Sequence, residues 1–245
     1  MQRVLRLVMI TVFALCVSRV SHAAGGINLS WDDCGTFGSM AKTFGCDTNT
    51  GVNTLIASAI PPAPMPQFVA MAATILLAAD QPTLPSWWNF DVGCRASPTS
   101  AMETDFNFVG GPFNCHDAWA GGAYGGFNYE SGFSGPNRAR FRMVCAVPSN
   151  APAPLDGVAE NYLFRVSITN AKTVGPGSCG GCDVGMCVVL ASVELDDPHG
   201  AVYILSNPLS RQFVVWQGGA SVSGGCPQAT PTRNTTWGAV KSLYR

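Results

Sequence analysis

Cysteine is the residue type in this chain with the most chemistry to offer. Cys179-Gly-Gly-Cys182, followed by Cys187 five residues on and by Cys226, has the spacing of half a zinc site. The same Cys-x-x-Cys could serve as a redox pair, but such pairs open a helix after a strand, and this one lies in a glycine-rich loop ahead of a strand. In an exported chain, disulfides are favoured over both. Of the ten cysteines, Cys16 falls inside an N-terminal apolar run, leaving nine: Cys34, Cys46, Cys94, Cys115, Cys145, Cys179, Cys182, Cys187 and Cys226. Nine is odd, so one thiol is left over.

Other constellations carry weaker signals. Asp47-Thr48-Asn49-Thr50-Gly51 begins as a calcium loop does, with oxygens at alternate residues, yet it lacks a glycine at the sixth position and an acid at the twelfth, where Ser58 stands. An Asx-stabilised turn is the better reading. Asp32-Asp33 and Asp196-Asp197-Pro198 read as solvated turns, and His116 and His199 each sit in a turn-like stretch. Ser221 misses the second glycine of a nucleophile elbow. Glu103, Asp105, Glu130, Glu160 and Glu194 supply carboxylates that a hydrolase could pair across a glycosidic bond. With no catalytic motif, the reading leans away from an enzyme, and no catalytic residue, cofactor or metal ligand is assigned. Trp119, Tyr124, Phe127, Tyr129 and Phe133 crowd one glycine-rich stretch, and planar rings stack on sugars when exposed. Trp119, Tyr124 and Tyr129 are the candidates to face a ligand. Asn28-Leu-Ser30 and Asn234-Thr-Thr236 are glycosylation sequons.

The elements that must position these residues follow from composition and alternation. Arg3 and Arg6, the apolar run Leu7 to Val17 and the small-residue site Ser21-His22-Ala23 form a secretory signal, with cleavage expected after Ala23. The apolar run is too short for a transmembrane span, and none is expected in the mature chain. Without the signal, 11 basic and 15 acidic residues leave a net charge of −4, which disfavours nucleic acid as a partner. Charged residues make up 12% of the chain, while 27 glycines and 17 prolines suit many short strands joined by tight turns.

Strands are expected at Ile27 to Trp31, Val52 to Ile60, Phe68 to Ala79, Phe106 to Val109, Tyr162 to Thr169, Val189 to Leu195 and Phe213 to Trp216. Pro82 to Phe90 reads as strand or loop, so that Trp87 and Trp88 would point in opposite directions. The cleanest alternation is Arg138, Arg140 and Arg142 against Ala139, Phe141, Met143 and Cys145, which turns Cys145 inward and makes it the candidate free, buried thiol. The remaining eight then pair. Short loops favour Cys34–Cys46 and Cys94–Cys115, with the pairing inside the group Cys179, Cys182, Cys187 and Cys226 left open.

Cys46-Asp-Thr-Asn49, Pro85-Ser-Trp-Trp-Asn-Phe90, Ala171-Lys-Thr-Val-Gly175 running into Cys179-Gly-Gly-Cys182, Val214-Val-Trp-Gln-Gly-Gly219 and the ending Thr236-Trp-Gly-Ala-Val-Lys-Ser-Leu-Tyr-Arg245 together resemble an uncharacterised family of exported, cysteine-rich bacterial β-sandwich proteins. The resemblance spans nearly the whole mature chain. It implies a periplasmic or extracellular setting and a β-sandwich, and brings no activity, substrate or catalytic residue.

The expected architecture is all-β: an antiparallel two-sheet sandwich, jelly-roll-like and disulfide-stapled, over residues 24–226. Residues 1–23 are the signal peptide, 227–236 a linker, and 237–245 a short tail for sorting or docking. The function expected is that of a secreted, non-catalytic protein that binds or builds the cell envelope, with polysaccharide as the candidate partner. An extracellular hydrolase using paired carboxylates is the alternative.

Overall fold

Alternating burial is what turns this sequence into sheets. In the computed structural model, which describes residues 25–96, 101–219 and Cys226, strand β9 (Arg138–Ala146) buries Ala139, Phe141, Met143 and Cys145 and turns Arg142, Val144 and Ala146 to water. The signal peptide, the 227–236 linker and the 237–245 tail lie outside the described residues.

The remaining strands are β1 (Gly26–Trp31), β2 (Ala41–Lys42), β3 (Val52–Ile60), β4 (Met65–Phe68), β5 (Ala70–Ala79), β6 (Met102–Asp105), β7 (His116–Asp117), β8 (Tyr124–Ser131), β10 (Ala153–Leu155), β11 (Asn161–Thr169), β12 (Met186–Asp196), β13 (Val202–Leu205) and β14 (Phe213–Trp216). A five-stranded sheet runs β1-β3-β11-β6, with β7 beside β11. A seven-stranded sheet runs β2-β14-β12-β5-β9-β8, with β13 beside β12, and β10 and β4 form a separate pair. Pairing is antiparallel apart from β7 on β11 and β2 on β14. The result is an all-β, jelly-roll-like sandwich. No helix among the described residues is long and apolar enough to cross a membrane.

The two inner faces meet through Leu29, Leu55, Phe164 and Val166 on one side and Ile75, Leu77, Phe141 and Val188 on the other. One end is filled by aromatic rings. Phe44 stacks on Trp216 at 3.7 Å between centroids, and Trp31, Trp87 and Trp88 lie within 6.0 Å of the same indole. Each such pair adds about 0.5–1.5 kcal/mol beyond the area it buries. Trp87 and Trp88 are not in a strand: Ser86–Trp88 is a 3-10 turn, and its tight winding sends both indoles into the core instead of to opposite faces. The Arg95 guanidinium is buried 3.8 Å from the Trp87 ring and donates to the carbonyls of Ala101 and Thr169. Burial lowers its pKa to about 10.

Four disulfides are present among the described residues: Cys34–Cys115, Cys46–Cys182, Cys94–Cys179 and Cys187–Cys226. The expected short-loop bridges Cys34–Cys46 and Cys94–Cys115 are not formed. Cys34 follows β1 on the five-stranded sheet, whereas Cys46 follows β2, which pairs with β14 on the other sheet. There Phe44 stacks on Trp216, whose indole Nε1 donates to the Cys182 carbonyl at 2.6 Å, and this brings Cys46 to Cys182. Cys94 meets Cys179 because Lys172 holds both segments: its Nζ donates to the Cys94 carbonyl and its carbonyl accepts from the Cys179 N–H. Cys145 is buried without a sulfur partner.

Candidate functional site

An open cleft of about 290 Å³ lies over the five-stranded sheet at the end where β1 and β3 meet the 105–114 loop. Thr54 and Ile56 of β3 and Arg165 of β11 line it as its floor. Their side chains share the outward face because Arg165 pairs in register with Ile56, while the neighbouring Leu55 and Val166 point into the core.

Asp32 and Asp33 make one wall. The chain leaves β1 through Asp32 at φ 70°, a left-handed conformation that aspartate tolerates better than most residues. Asp32 then pairs its carboxylate with Lys42 Nζ at 2.5 Å. The Asp33 carboxylate accepts from the Cys34 N–H at 2.7 Å and from Asn114 Nδ2 at 2.5 Å, so it ties the two walls together beside the Cys34–Cys115 bridge.

The other wall is Gly110-Gly111-Pro112-Phe113. Two Asx turns lead into it: Asp105 accepts from the Asn107 N–H at 2.7 Å, and Asn107 accepts from the Val109 N–H at 3.0 Å. Gly111 has φ 94°, and a Cβ there would sit 2.9 Å from the Phe113 ring. The positive φ favours glycine here, and the missing Cβ leaves room for the ring beside the loop. Held this way, the phenyl group is still 80% exposed. Arg165 forms an ion pair with Asp105 across the floor. The site thus offers two carboxylates as acceptors, a guanidinium as donor, and a free aromatic face, a set suited to a hydroxyl-rich ligand.

The aromatic residues expected to face a ligand do not come together. Trp119 is buried against Phe68 and donates its indole N–H to the Leu163 carbonyl at 2.7 Å. Tyr129 is buried too, its hydroxyl donating to the Trp88 carbonyl at 2.6 Å, and burial together with the Asp91 charge pushes its pKa up. Both rings are polar-tipped core residues. Tyr124 alone of the three is exposed, at 79%, and it stands on the seven-stranded sheet away from the cleft.

The carboxylates singled out in the sequence are dispersed over both sheets. Glu130 pairs with Arg140 at 2.6 Å, and Asp105 with Arg165. Glu160 accepts from Asn28 Nδ2 at 2.7 Å and Ser58 Oγ at 2.5 Å. Glu103 lies on β6 and Glu194 on β12. The Asn28 sequon is occluded: Asn28 is buried, and its oxygen accepts from the Ser210 N–H, the Ser210 hydroxyl and the Arg211 N–H. In the Asp47–Gly51 turn, Asn49 Oδ1 accepts from the N–H groups of Thr173 and Val174 and so serves the fold. The sulfurs of the zinc-like spacing are all engaged in disulfides. Burial raises the Cys145 thiol pKa to about 12. Asn234 and Ser221 lie outside the described residues.

In the sequence Asp32-Asp33 reads as a solvated turn, and no motif marks Gly110–Phe113 or Arg165 as cleft residues. The legible sign was the pairing of a Gly-Gly-Pro-aromatic run with an acidic turn bracketed by cysteines, Cys34 after one and Cys115 after the other.

No family model matches the chain, and no curated protein matches it. Among solved structures, a cohesin module from a Clostridium perfringens family 33 glycoside hydrolase aligns with a TM-score of 0.38 at 10% identity, over 79% of this chain and 96% of that one. The second type II cohesin module of the cellulosomal adaptor ScaA scaffoldin of Acetivibrio cellulolyticus aligns with a TM-score of 0.35 at 8% identity, over 78% of this chain and 96% of that one.

Proposed function

We propose that this is an exported, non-catalytic binding protein that holds polysaccharide in the cleft between Asp32-Asp33 and Gly110–Phe113. The observation that carries the reading is the exposed Phe113 ring, which lines the cleft together with Asp32, Asp33 and Arg165. Sugar rings present an apolar face to stack on and hydroxyls at their edge, and the cleft supplies a partner for each. Four disulfides support export to an oxidising compartment.

The test is affinity electrophoresis and titration calorimetry against a panel of neutral and acidic polysaccharides. Phe113→Ala should weaken retention by about threefold to tenfold, the worth of one stacking contact. Tyr124→Ala, on the other sheet, should leave it unchanged. Absence of retention across the panel, or sensitivity to Tyr124→Ala and not to Phe113→Ala, would overturn the proposal.

A further inference from the structure

The edges of the two sheets are treated unequally. β2 has two residues, and β6 and β13 have four each. The free side of β1 is closed by backbone hydrogen bonds to Asn207, Leu209, Arg211 and Ser39. Short or covered edges are how sandwiches avoid adding foreign strands.

β8 is the exception. It has eight residues and ends the seven-stranded sheet beyond β9. The far end of its outer edge is covered, because Ser131 donates its N–H to Asp91, away from β9. Antiparallel ladders alternate, so Phe127 and Gly125, two and three pleats earlier on the same parity, also turn their N–H and C=O outward. Among the described residues those groups have no backbone or side-chain partner. Tyr124, Gly125, Phe127 and Asn128 are exposed, and the stretch Tyr124 to Asn128 contains no charge and no proline.

We infer that this edge pairs with the same edge of a second copy of the chain, antiparallel about a two-fold axis through Gly126. The argument for a second copy is self-complementarity. With Gly126 opposite Gly126, Gly125 of each copy meets Phe127 of the other, and Tyr124 meets Asn128. Every bulky side chain is then opposite a small or polar one. The outward groups of Gly125 and Phe127 fall at hydrogen-bonded positions and exchange four ladder bonds. The Phe127 ring, packed on Phe141 at 5.1 Å between centroids yet 43% exposed in the single chain, loses that exposure at the seam, where it meets Gly125 and the Phe106 ring lying over that glycine. Two seven-stranded sheets would join into one continuous sheet.

The axis can be tested by chemistry. Gly126 has a negative-φ backbone and open space where a Cβ would go, so Gly126→Cys fits the fold. At a non-hydrogen-bonded pair the Cα atoms are about 4.5 Å apart, within disulfide range. Gly126→Cys should give a covalent dimer under mild oxidation, and Asn128→Cys should not. By sedimentation velocity the wild type should dimerise with concentration. Tyr124→Lys/Asn128→Lys sets ammonium groups opposite each other and should weaken the dimer at least tenfold, while Tyr124→Lys/Asn128→Glu should retain it. The inference fails if the wild type is monomeric up to about 1 mM, if Gly126→Cys does not cross-link, if the double-lysine variant still dimerises, or if β8 proves to take only an extended peptide from another protein.

Discussion

Removing the Cys34–Cys115 bridge tests the fold and the site together. Its direct loop spans 81 residues, but the other bridges shorten the path. From Cys34 the chain runs twelve residues to Cys46, crosses to Cys182, runs three to Cys179, crosses to Cys94 and runs twenty-one to Cys115, a path of thirty-six residues. Closing thirty-six residues restricts the unfolded chain by about 4 kcal/mol. For a domain of this size that corresponds to a fall in Tm of about 8–16 °C. Cys94–Cys179 completes the same ring, so Cys94→Ala/Cys179→Ala should cost the same. Of these two bridges it is Cys34–Cys115 that joins the walls of the cleft, so Cys34→Ala/Cys115→Ala should also lose the proposed polysaccharide retention at temperatures where both variants are folded. Urea unfolding and calorimetry give the first quantity, affinity electrophoresis the second. A stability loss below about 1 kcal/mol would refute the ring argument, and equal retention by the two variants would refute the tie between bridge and cleft.

In protein lacking residues 1–23, and with them Cys16, the buried Cys145 thiol, with its pKa raised to about 12, should give no reaction with a thiol reagent at pH 8 in the native state and one equivalent per chain after unfolding. Burial, then Glu194 and Asp197, raise the pKa of Asp196, so the folded state resists its charge. Stability is therefore lost as pH rises through the folded value: Asp196→Asn should raise Tm at pH 7, with the gain disappearing below the ordinary aspartate value of 3.8, as a pH series of melting curves would show.

Alternation carried most of the fold. β3 falls at Val52–Ile60, as its apolar pattern and the following prolines imply, and β9 shows the expected parity at every residue from Arg138 to Cys145. Parity misleads where a strand bulges. Val189, Ala191, Val193 and Leu195 read as one face, yet the ladder shifts between Leu190 and Ser192. Val189 consequently packs outside the sandwich with Cys187, Val215 and Cys226, while Val193 and Leu195 are in the main core. The disulfide pairing was illegible for a related reason. Which cysteines meet depends on which sheet each loop joins, and only long-range strand order fixes that. The cleft depends on the same information, since Asp33 and Asn114 meet across 81 residues.

A bulge also connects the fold to the site. Had β11 alternated without interruption, Tyr162 would share the inner face with Phe164. The register shift between them instead pairs Tyr162 with Ser58, on the outward face that also carries Arg165. There the ring packs against Phe108, and its hydroxyl donates to the Asp105 carbonyl at 2.6 Å. Asp105 holds Arg165 on the floor of the cleft and caps the turn at Asn107 that begins the Phe113 wall. One extra residue in a strand thus buttresses both the charge and the ring on which the proposed ligand recognition rests, which is the kind of place where bulges are kept rather than smoothed away.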